Sequence, residues 1–169
     1  MFALSKKASH VTEISKCETS ERCWVLVRTE EGPYLLGCWH RLPKRGNLEG
    51  IEELRLEVNE KRKDAVGVVL IGDVNVHSEK WLKFSKGESP EGTLLHQVCD
   101  DLGLKQIVTE PTRFHEPTGE DNLLDLTFTD VPEATTTVGA KVIPLPEFPP
   151  SARMEWLVLE QAIVCSNCV

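Results

Sequence analysis

The stretch Val68-Val69-Leu70-Ile71-Gly72-Asp73-Val74-Asn75 decides how this chain is read. Its first four residues are a continuous, largely β-branched apolar run, the pattern of a strand buried on both faces. A glycine then frees the backbone, and Asp73 and Asn75 follow two apart, on one face of an extended chain. A carboxylate can orient water or hold a cation, and an amide can donate to a phosphoryl oxygen. The pairing therefore suits phosphate-ester chemistry. It equally suits a plain strand-end turn in which both side chains cap their own backbone. Taken alone, the motif leaves both readings open.

On the N-terminal side, Cys23 to Arg28 and Tyr34 to Trp39 are strand-like runs around Glu30-Glu31-Gly32-Pro33, a hairpin signal. Leu48, Ile51, Leu54 and Val58 recur at helical spacing. Asn47 is the expected N-cap of that helix, and Lys61-Arg62-Lys63 complement its dipole. The strand of the opening motif is expected over Val66–Ile71. On the C-terminal side, Ser89-Pro90 opens a helix with the stripe Leu94, Leu95, Val98 and Leu102, closed by Gly103. A short strand is expected at Gln106–Val108. Leu124, Leu126 and Phe128 alternate with Asp125, Thr127 and Thr129, which places Asp125 on the polar face of a strand. Four prolines between residues 144 and 150 predict an extended connector, and Met154–Gln161 reads as a last strand. Strands and helices alternate, yet hairpins occur, so composition and pattern give α/β or α+β with mixed sheets.

From Cys23 to about Glu160 the chain resembles the endonuclease/exonuclease/phosphatase superfamily, and within it the endonuclease domain of non-LTR retrotransposons. Five stretches carry the resemblance, in the family's order and at about its spacing. They are Gly37 to Pro43 (GCWHRLP), Val68 to His77 (VVLIGDVNVH), Glu91 to Leu104 (EGTLLHQVCDDLGL), Glu110 to Phe114 (EPTRF) and Asn122 to Asp130 (NLLDLTFTD). The resemblance implies a four-layer α/β sandwich and metal-dependent hydrolysis of phosphodiesters, with Mg²⁺ or Mn²⁺ as cofactor and DNA as substrate. It implies Asp73, Asn75 and Asp125 as catalytic residues; the family's metal-binding glutamate has no match here, so Asp73 and Asp125 are the matched acids left to hold a metal. It implies Thr112 as a phosphate contact; His40 and Arg153 depart from the family's residues and are further candidate substrate contacts, Arg153 because a guanidinium donates to phosphoryl oxygens. His40 stands where the family has tyrosine, and a partly buried imidazole is expected there.

Some of the family's set is expected to be missing. Ser151-Ala152-Arg153 stands where a Ser-Asp-His motif belongs, so one serine is kept and the carboxylate and imidazole are not. No matched glutamate precedes Cys23. The expectation is a copy truncated at its N-terminus and impaired in cutting. The alternatives are a dead retroelement remnant or a module that binds nucleic acid or protein without cutting. A missing opening unit would leave Val66–Ile71 at an unpaired sheet edge, and self-association would follow.

The chain's 169 residues suit one domain, expected at 22–160, between a loose lead-in at 1–21 and a tail at 161–169. Net charge is −8, from 19 basic and 27 acidic residues, which disfavours tight non-specific nucleic-acid binding. Local basic clusters remain at Arg41-Lys44-Arg45 and Lys61-Arg62-Lys63. The six cysteines form no compact framework, so a reducing compartment is expected, with Cys38 and Cys99 as small core residues. Cys165 and Cys168 are a lone C-x-x-C with no partner pair. No apolar run nears membrane-spanning length and no secretory leader is visible, so the location expected is intracellular, nuclear or cytoplasmic.

Overall fold

In the computed structural model the described residues are 10–17, 22–29, 31–43, 46–115, 120–141, 154–159 and 162–166. The first strands are β1 (His10–Cys17), β2 (Arg22–Arg28), β3 (Pro33–His40) and β4 (Gly67–Asp73), with α1 (Glu49–Lys61) between β3 and β4. Then come α2 (Pro90–Leu102), β5 (Lys105–Gln106), β6 (Arg113–His115), β7 (Glu120–Asn122) and β8 (Asp125–Thr129). The last strands are β9 (Thr135–Lys141), β10 (Met154–Leu159) and β11 (Ala162–Ser166). Six strands form a mixed sheet in the order β1-β2-β3-β4-β8-β5; β11-β10-β9 form a second sheet, and β6-β7 a small hairpin.

The order of the large sheet corrects one expectation. The Val66–Ile71 run belongs to β4, which lies inside the sheet, parallel to β3 on one side and antiparallel to β8 on the other. Both of its edges are paired, so an all-apolar strand sits where both faces are buried. Self-association through that strand loses its basis. The sheet's outer strands are β1 and the two-residue β5.

One face of the sheet carries the core. Trp24, Leu35, Trp39, Val68, Leu70, Leu126 and Phe128 pack there with Ile51, Leu54 and Val58 of α1 and Leu95, Val98, Cys99 and Leu102 of α2. The opposite face is also buried at Leu36, Val69, Ile71, Thr127 and Thr129, and β11 of the second sheet comes close to β4. Helices, sheet and second sheet are three layers of an α/β sandwich. The polar phase of β8 therefore lies inside the sandwich and not in water.

A buried ion pair docks α1. The Arg22 guanidinium donates to both carboxylate oxygens of Glu57 at 3.1 and 2.8 Å and to the Gly50 carbonyl at 2.6 Å. It also lies 4.7 Å from the centre of the Trp39 ring, and Trp24 Nε1 donates to Glu57 at 2.7 Å. Every charge is answered at short range, as a buried pair requires.

The capping of α2 follows the sequence: Ser89 accepts from Gly92 N at 3.0 Å and Gly103 closes the helix at φ +72°. Helix α1 differs. Its N-cap is Leu48, not Asn47, and no side chain caps it, while the Asn47 carbonyl accepts from Arg41 at 2.9 Å. Arg62 is drawn from the helix end to the Leu102 carbonyl and to Asp130, at 2.9 and 3.0 Å. Two strands lie outside the expected domain bounds: β1, within the stretch expected to be a loose lead-in, pairs with β2, and β11, within the tail, pairs with β10. An edge strand needs no apolar alternation, which is why β1 reads as aperiodic. Cys99 is buried as expected, whereas Cys38 is half-exposed.

Candidate functional site

The site begins with a register. In β3, β4 and β8 the residues His40, Asp73 and Asp125 are successive partners, His40 opposite Asp73 and Asp73 opposite Asp125. Laterally paired residues point to one face of a sheet, so the three side chains form a row across the end of adjacent strands. The row lies on the inter-sheet face, opposite the helices. Asp73 and Asp125 are buried, 8% and 5% exposed, while His40 at the row's open end is exposed. The expectation of a partly buried imidazole is thereby corrected. Among the described residues, Oδ1 of each carboxyl group is buried without a hydrogen-bond partner, though both residues make other interactions.

Gly72 sets the row in place, but not by freeing the backbone. A side chain there would overlap the Trp39 backbone carbonyl, so glycine lets β4 lie close to β3 at this level. The left-handed residue is Asn75, at φ +50°, a conformation asparagine tolerates better than most. The turn takes Asn75 out of strand alternation with Asp73. Its Nδ2 donates to the Arg41 carbonyl at 2.8 Å, which orients the amide and leaves its second N–H bond as a further donor.

Arg41 was not expected to be structural. It is 8% exposed, and its backbone N–H donates to the Asp73 carbonyl at 2.9 Å. Its guanidinium donates to the carbonyls of Asn75 and Asn47, at 3.2 and 2.9 Å. Glu91, in the first turn of α2, lies 3.9 Å from it and accepts from Gly46 N at 2.6 Å. Burial opposes ionisation of Glu91. Hydrogen bonds from its own and the Gly46 backbone N–H groups, with the Arg41 charge, outweigh it and hold the carboxyl below its ordinary value. Arg41 and Glu91 thus tie the ends of β3 and β4 to α2. In the sequence Arg41 stands only as a member of the basic cluster Arg41-Lys44-Arg45, and nothing there marks it as buried.

Thr112 is 1% exposed, and its Oγ1 accepts from the backbone N–H groups of Leu124 and Asp125 at 3.2 and 3.1 Å. Its own N–H donates to the Asn122 carbonyl at 2.9 Å. The threonine therefore fixes the start of β8, where Asp125 enters the row. Arg153 lies outside the described residues, as do Ser151 and Ala152. Among the described residues no group of three or more His, Cys, Asp or Glu side chains is arranged to hold a metal ion.

A family model described as endonuclease-reverse transcriptase matches residues 42–144. The chain belongs to this family. Among solved structures, the endonuclease domain of TRAS1, a telomere-specific non-LTR retrotransposon, is similar at 18% identity and a TM-score of 0.62. The match covers 95% of this chain and 69% of that one. The 3′-5′ exonuclease NExo from Neisseria meningitidis is similar at 14% identity and a TM-score of 0.53, over 92% and 69% of the two chains. The human Nocturnin catalytic domain is similar at 14% identity and 0.50, over 85% of this chain and 51% of its own. At these identities the likeness is one of fold. Comparison with curated proteins finds no match. No helix of the described residues is long and apolar enough to cross a membrane.

Proposed function

We infer that this endonuclease-reverse transcriptase family chain is a divalent-cation-dependent phosphodiester hydrolase domain of a retroelement, acting on DNA, with cutting impaired. The observation that carries the reading is Asp73 opposite Asp125 in register at the end of β4 and β8. Two buried carboxyl groups held side by side offer oxygen donors to a divalent cation. Oxygen-only donors suit Mg²⁺ or Mn²⁺, so Asp73 and Asp125 are the residues that would hold one. When bound, the ion would offset charge on the phosphoryl oxygens.

The chain's own residues supply the rest. Asp73 orients the attacking water, and Asn75, set by Arg41, donates to a phosphoryl oxygen. His40 meets the substrate from the exposed end of the row. Thr112 serves by placing Asp125. Arg153 adds a guanidinium for phosphate, which donates but cannot act as a base.

Ala152 and Arg153 in place of Asp and His support impairment, because loss of a general base lowers rates by about 10²–10⁴-fold. Plasmid nicking with Mg²⁺ or Mn²⁺ tests the reading, with Asp73→Ala as control for contaminating nuclease. Cutting near background is expected, with weak DNA binding that falls as salt rises. Ala152→Asp together with Arg153→His should raise cutting. Robust nicking abolished by Asp73→Ala would overturn impairment while keeping the hydrolase. Neither nicking nor binding, in the parent or the double variant, would overturn both.

A further inference from the structure

Cys23 in β2 and Cys38 in β3 are direct cross-strand partners. Such partners point to the same face, and both cysteines are half-exposed. Cys38 lies two residues before His40 and is the partner of Ile71, two before Asp73. The two thiols therefore share a face with the His40–Asp73–Asp125 row, one step further down the strands.

The ladder also fixes which kind of pair they are. Thr29 and Gly32 exchange both backbone hydrogen bonds, at 3.0 and 3.3 Å. The β2–β3 register then runs without a bulge from Arg28–Pro33 to Arg22–Trp39. Hydrogen-bonded and non-hydrogen-bonded pairs alternate along an antiparallel ladder. Pro33, which has no N–H, correctly falls at a non-hydrogen-bonded position, and Cys23–Cys38 falls at a hydrogen-bonded one. Cα atoms of such pairs are about 5.5 Å apart, inside the disulfide range of about 4.4–6.8 Å. Their Cβ atoms, at about 5.5 Å, must close to about 4 Å for a bond to form. A disulfide is within reach there, but only under strain, and strained or exposed disulfides are the readily reduced ones.

The geometry points to a reversible disulfide between Cys23 and Cys38, a thiol-oxidation site beside the His40–Asp73 pair. It is independent of the hydrolase reading. The oxidant is a small disulfide of the glutathione class. One cysteine thiolate attacks it, forming a mixed disulfide and expelling one glutathione thiolate. The second cysteine thiolate attacks the protein sulfur of that mixed disulfide and expels the other glutathione. Two protein thiols are oxidised and one oxidised glutathione is reduced to two thiols, which take up the protons. Neither Cys99 nor Cys17 competes by position. Cys99 is buried, with a thiol pushed up to about 12. The β1 partner of Cys23 is Lys16, so Cys17 falls at the next register position.

The test equilibrates the purified full chain in oxidised and reduced glutathione at several ratios, then alkylates it and digests it with trypsin without reduction. Cleavage after Arg22, Arg28 and Arg41 separates the cysteines onto Cys23–Arg28 and Thr29–Arg41. The expected product is the linked pair of these peptides, growing with the oxidised fraction, removed by dithiothreitol and lost in Cys38→Ser. In denaturant its yield should fall several-fold, because only the folded ladder holds the thiols together. Quantitative alkylation of Cys23 and Cys38 at the oxidising end would overturn the proposal. So would linkage of either to Cys17 or Cys165, or an equal yield in denaturant.

Discussion

The backbone carbonyl of Trp39 occupies the space that a side chain on Gly72 would need. The two residues are partners in the parallel β3–β4 pair, immediately next to His40 and Asp73. Any Cβ at position 72 must push the strands apart just where the carboxylate row is set. Because the obstacle is backbone, no side-chain rotation relieves it.

Gly72→Ala is accordingly expected to destabilise the fold by at least about 1–3 kcal/mol, the usual range for overpacking in a tight interior. Urea unfolding followed by tryptophan fluorescence measures it. Gly50, whose added Cβ would meet nothing nearby, is the control. Gly50→Ala should be neutral or slightly stabilising, since it sits in helix α1. Equal effects of the two substitutions would contradict the close approach at Gly72.

Thr112 offers a cleaner separation of positioning from contact. Removing its hydroxyl in Thr112→Val leaves the Leu124 and Asp125 N–H groups without their acceptor. That should cost about 1–3 kcal/mol. Thr112→Ser keeps the acceptor and should recover most of the loss. Hydrogen exchange at the Asp125 amide is the decisive reading, faster in the valine variant and restored in the serine variant. Unchanged exchange in Thr112→Val would remove the threonine from its positioning role.

What the sequence made legible was local. Ser89, Pro90 and Gly103 announce α2 because caps are short-range chemistry, and the Val68–Ile71 run announces a doubly buried strand. The phase of Asp125 followed from alternation with Leu126 and Phe128. Partners were not legible, since nothing in the β4 run says which strands flank it. The reading of an exposed edge failed there. Arg41 failed for a related reason, its partners being carbonyls brought in by the turn after β4. Strand β11 is a different case: Ala162-Ile163-Val164-Cys165 is an apolar run whose signal was present.

Glu91 predicts an acid limit. Its folded carboxyl titrates below the ordinary 4.5, so the unfolded chain takes up the proton more readily. Its contribution is fully present above 4.5 and is lost as pH falls through the lowered folded value. Glu91→Gln should therefore lower stability at neutral pH and narrow the difference from the parent in the acid range. Urea midpoints at neutral pH and well below 4.5 give the comparison. A constant difference at every pH would show that the charge on Glu91 is not what ties Arg41 and Gly46.

The carboxyl pair makes the last prediction, which concerns ion binding. Asp73 and Asp125 set two carboxyl groups side by side, buried on paired strands. Asp125→Asn keeps the shape and removes one oxygen donor suited to a divalent cation. The parent should gain stability on adding Mg²⁺ or Mn²⁺, by about 2.7 kcal/mol once the free ion reaches a hundred times its Kd. Asp125→Asn should lose most of that gain, and Ca²⁺, a larger hard cation, should compete. Thermal melts in EDTA and across an ion titration measure this without any appeal to cleavage. If Asp125→Asn responds to Mg²⁺ as the parent does, the cation site is elsewhere.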